Sequence, residues 1–215
     1  MILHVAIPLY SGFTALDAVG PYTVLAFVPD WTVTFVANEP GPVTDDQGTL
    51  TLAATASYTD TPSPDVIVVP GGASTFTAMT DRALTGWLAS AHEHARWTTS
   101  VCTGSFLLGA AGLLTGRRAT THWALLEKLA ETGAEPVRER VVHDGQIVTA
   151  AGVSAGIDMA LTLLAQATDD ATAQAVQLAI EYDPQPPFES GSPQAAPAGL
   201  AAQAMSLISA VGRSR

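Results

Sequence analysis

The chain has 215 residues, of which 47% are hydrophobic and 13% charged, a composition that supports one packed globular domain over residues 1–215 rather than a disordered chain. Nine Lys and Arg against 20 Asp and Glu give a net charge of −11, so the field of the whole molecule repels phosphate backbones and anionic lipid, and argues against nucleic-acid and membrane partners. One cysteine cannot close an internal disulfide, and Met1-Ile2-Leu3-His4-Val5-Ala6-Ile7-Pro8 reads as a strand with no basic region ahead of a cleavable apolar segment, which predicts a cytoplasmic protein.

Residues 2–7 open the chain as a buried strand, nearly continuous in apolar and β-branched side chains. Pro21 after Gly20 predicts a helix start with proline in its first turn, running through Ala26. Strands are expected at 31–37, 66–69 and 98–101, and a helix at 81–95 with Leu84, Leu88 and Ala91 on one face. Residues 121–132 place Leu125, Leu126 and Leu129 at helical spacing before Gly133 ends the run. Runs at 138–143 and 146–149 flank Asp144-Gly145, a hairpin signal, and a long helical stretch follows Ser154 with a break near Asp169-Asp170. The segment 183–197 carries Pro184, Pro186, Pro187, Pro193 and Pro197, so it is an extended loop, and 198–211 returns to helical composition as a C-terminal helix. The apolar stretch 106–114 is too short to span a bilayer, and 155–168 carries Asp158 and Gln166. The alternation predicts an α/β fold: a three-layer sandwich with a mainly parallel sheet and ligand chemistry at the carboxyl ends of its strands.

Cys102 stands where the strand-forming run 96–101 gives way abruptly to Thr103-Gly104-Ser105-Phe106-Leu107-Leu108. A sharp strand-to-helix turn lifts its residue above the sheet, and the partial positive charge of a helix N-terminus favours thiolate over thiol. The competing reading is a buried cysteine packed as a small hydrophobe. Gly71-Gly72 follows a strand directly, and their amides with that of Thr103 form a candidate oxyanion and substrate-binding pocket, or else a simple turn. Asp17 is the only carboxylate among the first 29 residues and is flanked by apolar side chains, which invites burial and a raised pKa; the alternative is a cap for the helix at Gly20-Pro21. His122 is the one histidine to be considered near a cleft, with a helix-start or core role as the alternative. His92 and His94 are two apart on a helix and face different directions, and neither an HExxH, a CxxC nor a nucleotide fingerprint occurs, so no metal and no cofactor are expected.

Taken together these residues resemble the ThiJ/PfpI superfamily, and within it the isonitrile (isocyanide) hydratase branch. The resemblance spans nearly the whole chain. It rests on Leu16-Asp17 with Gly20-Pro21, Glu39-Pro40-Gly41-Pro42-Val43, Pro70-Gly71-Gly72, Ser100-Val101-Cys102-Thr103-Gly104-Ser105, Arg118-Ala119-Thr120-Thr121-His122-Trp123, and Glu181-Tyr182 with the proline-rich group after it. It implies a fold of class I glutamine amidotransferase type (flavodoxin-like), a nucleophile at Cys102, an acid at Asp17, and Thr103 as the residue after the nucleophile. The implied reaction is a lyase-type hydration: thiolate attack on the terminal carbon of R–N≡C gives a thioimidate, and water releases an N-substituted formamide.

Proteolytic members of the superfamily place a histidine after the cysteine where this chain has Thr103, which disfavours peptidase activity. Regulatory members continue into a helix-turn-helix domain, which this sequence does not carry. Glyoxalase-like members commonly use Glu at the acidic position, where this chain has Asp17. The alternatives are therefore glyoxalase-type hydration of small α-oxoaldehydes, or a cysteine oxidation sensor or chaperone without turnover. The expected partners are a small-molecule substrate and a second copy of the chain, since single-domain members commonly form homodimers; the segment 183–197 is expected to cover part of the cleft or reach the partner.

Overall fold

The apolar runs become the strands of one central sheet in the computed structural model, which describes residues 2–211. In chain order the elements are β1 (Leu3–Pro8), α1 (Ala15–Leu25), β2 (Trp31–Ala37), β3 (Gly41–Thr44), β4 (Thr51–Ala54), β5 (Ala56–Ser57), β6 (Val66–Val69), α2 (Thr75–Ala78), α3 (Arg82–His92), β7 (Trp97–Val101), α4 (Gly104–Ala110) and β8 (Arg118–Ala119). Two 3₁₀ segments, Trp123–Leu125 and Glu127–Thr132, lead to β9 (Glu135–Pro136), β10 (Val141–Asp144), β11 (Ile147–Ala150), α5 (Ala155–Ala167), α6 (Asp170–Ala179) and α7 (Leu200–Ala210).

The seven-stranded sheet runs β10-β11-β7-β6-β1-β2-β5 and is parallel except for the β10–β11 hairpin. Alternation along each strand divides the core. Val5, Ile7, Val66 and Val68 pack with Val24, Leu25, Met159 and Leu163 on one face. Ala6, Ile67 and Val69 pack with Leu84, Leu88, Phe106 and Leu107 on the other. These are the three layers of a doubly wound sandwich. After β1 the chain passes to β2 on one side and later returns to β6 on the other, so a switch point lies between β1 and β6, where ligands of open α/β sheets bind.

Two expectations need correction. Helix α1 begins at Ala15, so Pro21 sits inside it rather than in its first turn. Pro21 withholds one helical hydrogen bond, but its ring packs where α1 crosses α5: a Cβ at Gly156 would meet Pro21 Cγ and Cδ at 3.2 Å. Tertiary packing thereby overrides the local start signal. Residues 121–132 form two 3₁₀ segments instead of one α-helix, with His122 capping the first through Nδ1 to the Ala124 amide (3.3 Å) and Gly133, at φ 82, ending the second. The helical stretch after Ser154 breaks between Ala167 and Asp170, and the Asp169 carboxylate caps α6 at the Thr172 amide (2.8 Å). The short strands β3, β4 and β5 carried no periodic signal in the sequence. No helix among the described residues is long and apolar enough to cross a membrane.

Candidate active site

Four adjacent strands, β11, β7, β6 and β1, end on the same side of the sheet, and each hands its next residues to one point. Past β1 come Tyr10 and Asp17, past β6 Gly71 and Gly72, past β7 Cys102 and Thr103, and past β11 Val153. Sequence separation is erased by parallel topology.

Cys102 has φ 56, a left-handed conformation that side chains rarely adopt and that costs on the order of 1–3 kcal/mol. Its surroundings over-determine it. The Cys102 amide donates to Ala151 O (2.8 Å), and its carbonyl accepts from Thr121 Oγ1 (2.8 Å) and Ser105 Oγ (3.3 Å). The abrupt turn read from the sequence is therefore a strained elbow that presents the sulfur to a cleft.

Asp17 is fully buried in the first turn of α1. Its Oδ2 accepts from the Gly71 amide (2.9 Å), while Oδ1 has no well-aligned partner among the described residues and the Cys102 thiol is the polar group beside the carboxyl. A cap for a helix starting at Gly20 is ruled out, because the side chain points into the core of the site rather than at that helix's amides. Burial raises its pKa from 3.8 to about 7, against the pull of the Gly71 amide and the thiol, and with a further push from the Asp46 charge.

The thiol itself departs from the expectation of a favoured thiolate. Burial pushes its pKa up, and the negative charge of Asp17 adds to the shift. The amides of Val153 and Thr103 and the Thr103 hydroxyl pull the other way. Helix α4 is only seven residues long, and Cys102 is 6% exposed, so desolvation outweighs the helix terminus. Asp17 and Cys102 therefore titrate as a pair, and in the singly protonated state one proton lies between carboxylate and sulfur. The arrangement offers an acid at neutral pH, and within the pair thiolate is created by moving that proton to Asp17.

The glycine amides are not free for an oxyanion. The Gly71 amide is committed to Asp17 and the Gly72 amide to Thr103 Oγ1 (3.0 Å), so the predicted Gly71/Gly72 pocket is corrected: these amides position the acid and the threonine. Glycine is required there by close approach, since a Cβ at Gly71 would collide with Thr103 and one at Gly72 with the backbone of Gly12 and Phe13. The amides that face the sulfur belong to Thr103 and Val153. Thr103 Oγ1 also meets Thr75 Oγ1 (2.7 Å), which donates to Gly72 O (2.8 Å) and meets Tyr10 Oη (3.0 Å). Tyr10 remains a phenol because burial raises its pKa well above the ordinary value. Sequence reading missed Val153, Thr75 and Tyr10. Only their placement past strand ends could have suggested them.

His122 lines the cleft as well as capping the 3₁₀ segment, and burial lowers its pKa, so it is neutral in this setting. Asp45 and Asp46 lie at one corner of the cleft: Asp45 Oδ1 accepts from the Thr49 and Leu50 amides (3.1 Å each), and Asp46 Oδ2 from Thr14 Oγ1 (2.5 Å). The cleft encloses about 620 Å³, ample for a small organic molecule. Its outer cover comes from α7 and not from the segment 183–197, no residue of which lines it. Among the described residues no group of three or more His, Cys, Asp and Glu is placed to hold a metal ion.

Comparison with known proteins agrees with this fold. Residues 3–166 match the model of the DJ-1/PfpI family. The chain is 48% identical over 204 residues to the isonitrile hydratase of Pseudomonas putida, covering 95% of this chain and 89% of that protein. A crystal structure of a ThiJ/PfpI family protein from Pseudomonas syringae superimposes with a TM-score of 0.93 at 38% identity, covering 99% of this chain and 88% of that one. An HTH-type transcriptional regulator of Pseudomonas aeruginosa is 37% identical, over only 48% of this chain and 31% of its own length. The chain belongs to the DJ-1/PfpI family and is a homologue of isonitrile hydratase.

Proposed function

We propose that this DJ-1/PfpI chain hydrates isocyanides to N-substituted formamides through a thioimidate on Cys102. The observation that carries the reading is the buried pair: a cysteine on a strained elbow beside a carboxyl group whose pKa is about 7 and which can hold a proton in neutral solution. An isocyanide needs both. Its terminal carbon must gain a proton and a nucleophile, and neither alone makes the addition favourable.

In the reactive form Asp17 carries the proton and Cys102 is thiolate. Asp17 protonates the isocyanide carbon as sulfur bonds to it, giving Cys–S–CH=N–R and an Asp17 carboxylate. The carboxylate then takes a proton from water as the hydroxyl adds to that carbon, and passes the proton to nitrogen. Collapse of the S–CH(OH)–NH–R adduct returns the hydroxyl proton to Asp17, breaks the C–S bond and releases R–NH–CHO with thiolate restored. The Thr103 and Val153 amides face the sulfur and stabilise the charge it bears at the start and end of the cycle. Gly71 holds the carboxyl in place at Oδ2, leaving Oδ1 for the proton transfers.

Glyoxalase-type hydration of an α-oxoaldehyde would use the same cysteine, but a small polar substrate leaves most of a cleft of about 620 Å³ unused. An oxidation sensor needs an accessible, readily ionised thiol, whereas this one is buried and pushed toward its neutral form. The discriminating assay incubates purified protein separately with benzyl isocyanide and with methylglyoxal, following N-benzylformamide and lactate. Formamide should appear with a kcat/KM at least about a hundredfold above that for lactate formation, or about 2.7 kcal/mol of discrimination. Lactate as the faster product, or no turnover of either, overturns the proposal.

A further inference from the structure

We propose that helix α7 is the specificity wall of the cleft, with Met205 and Ile208 contacting the R group and selecting apolar, branched or ring-bearing isocyanides. The inference rests on the isocyanide reading for the identity of the substrate, but the wall itself is argued from packing.

Helix α7 is made of Leu, Ala, Met, Ile, Ser and Gln, without a charged residue, yet it buries none of its side chains. A helix of that composition ordinarily spends its apolar face on the core. Here Met205 and Ile208, three residues apart and so on one face, remain 37% and 41% exposed while lining the cavity that also holds Cys102. Part of their surface bounds the active-site void. Phe76 lines the same cavity, 42% exposed, with its ring fixed against Phe106 (centroids 5.3 Å apart) and under the Lys128 ammonium (4.6 Å). Leu16 and Leu125 extend the apolar lining.

Beside this surface the cleft presents Asp45, Asp46, Gln47, His122 and, on α7 itself, Ser209, and both carboxylates already accept hydrogen bonds. Asp45 and Asp46 line the cavity whereas, among the described residues, no Lys or Arg does, and the Lys128 ammonium lies over the Phe76 ring, so the acidic corner disfavours an anionic R group. A reacting N≡C head meets Cys102 and leaves the remainder of the volume to R. An apolar R group between Phe76 and α7 removes from water the surface that the fold leaves exposed.

The test uses the sole cysteine as a reporter that works whether or not isocyanides are substrates. Cys102 of the full-length protein is alkylated with iodoacetamide and with N-benzyl-2-iodoacetamide, a C–S bond forming as iodide leaves and the thiol proton passes to solvent, and rates are read by intact-protein mass spectrometry. The Met205→Ser/Ile208→Ser double variant, whose altered positions are exposed, should lose about tenfold in the benzyl-to-plain rate ratio while its rate with iodoacetamide itself stays within about twofold. Met205→Leu, which restores an apolar side chain, should keep the wild-type ratio. The kcat/KM for benzyl isocyanide relative to that for methyl isocyanide should fall in the double variant by a similar factor. An unchanged benzyl-to-plain ratio overturns the wall, as does an equal loss with both reagents, which would mean the helix acts on the thiol. A lowered ratio in a protein that turns over neither isocyanide supports the wall and sinks the isocyanide reading instead.

Discussion

Replacing Cys102 with serine should lower isocyanide turnover by at least about a thousandfold, roughly 4 kcal/mol of barrier, because the hydroxyl is far harder to ionise and Cys102 is the sole cysteine of the chain. The fold should survive. Serine is close in size, makes the same backbone bonds to Ala151, Thr121 and Ser105, and is no worse than cysteine at φ 56. Thermal unfolding within a few degrees of wild type, together with loss of product, is the expected pair of results. Turnover within about tenfold of wild type would remove Cys102 as nucleophile.

Asp17→Asn should cut turnover by about 10²–10⁴-fold while making the cysteine easier to alkylate. The two effects have one origin. Asparagine cannot carry the proton to the isocyanide carbon, but it also lacks the negative charge that raises the thiol pKa, so iodoacetamide at pH 8 should react faster with the variant. The same substitution should change stability with pH. In the folded protein Asp17 has a pKa of about 7 against an ordinary 3.8, so the native state holds the proton more tightly than the unfolded chain. Below pH 3.8 the group is protonated in both states and costs nothing; between 3.8 and 7 native stability is progressively lost; above 7 the full cost is present, on the order of 4 kcal/mol. The Asn variant, which never ionises, should therefore be more stable than wild type at pH 8 and lose that advantage toward pH 4, as measured by urea midpoints. Normal turnover by Asp17→Asn would reduce Asp17 to a structural acid. An advantage that does not depend on pH would place the ionisation elsewhere.

Much of the frame was legible because its signals are local. The runs at 31–37 and 66–69 became strands of those bounds: 66–69 is buried on both faces and apolar throughout, whereas 31–37 alternates threonine with larger apolar residues and is only partly buried. Cys102 stood out because strand composition stops at Val101 and helix composition begins at Thr103. Asp17 stood out because it is the only carboxylate among the first 29 residues and its apolar neighbours invite burial. The start of α1 misled because proline's preference for a first turn is a statistical tendency of helices, and the packing of Pro21 against Gly156 inside α1 is not visible along the chain. The use of the Gly71 and Gly72 amides, and the presence of Val153, Thr75 and Tyr10, depend on which strand ends lie side by side, which no window of residues contains. The raised thiol pKa has the same source: proximity to a helix start can be read from sequence, but the depth of burial and the neighbouring carboxyl that outweigh it cannot.

The covalent intermediate is tested most directly by mixing the protein with benzyl isocyanide, quenching in acid within the first turnover, and taking the intact mass. The account predicts a transient species heavier by the whole isocyanide, since addition expels no leaving group, located on Cys102 by peptide mapping and absent from Cys102→Ser. N-Benzylformamide released at the full rate with no mass shift on Cys102, and equally by the serine variant, would contradict it.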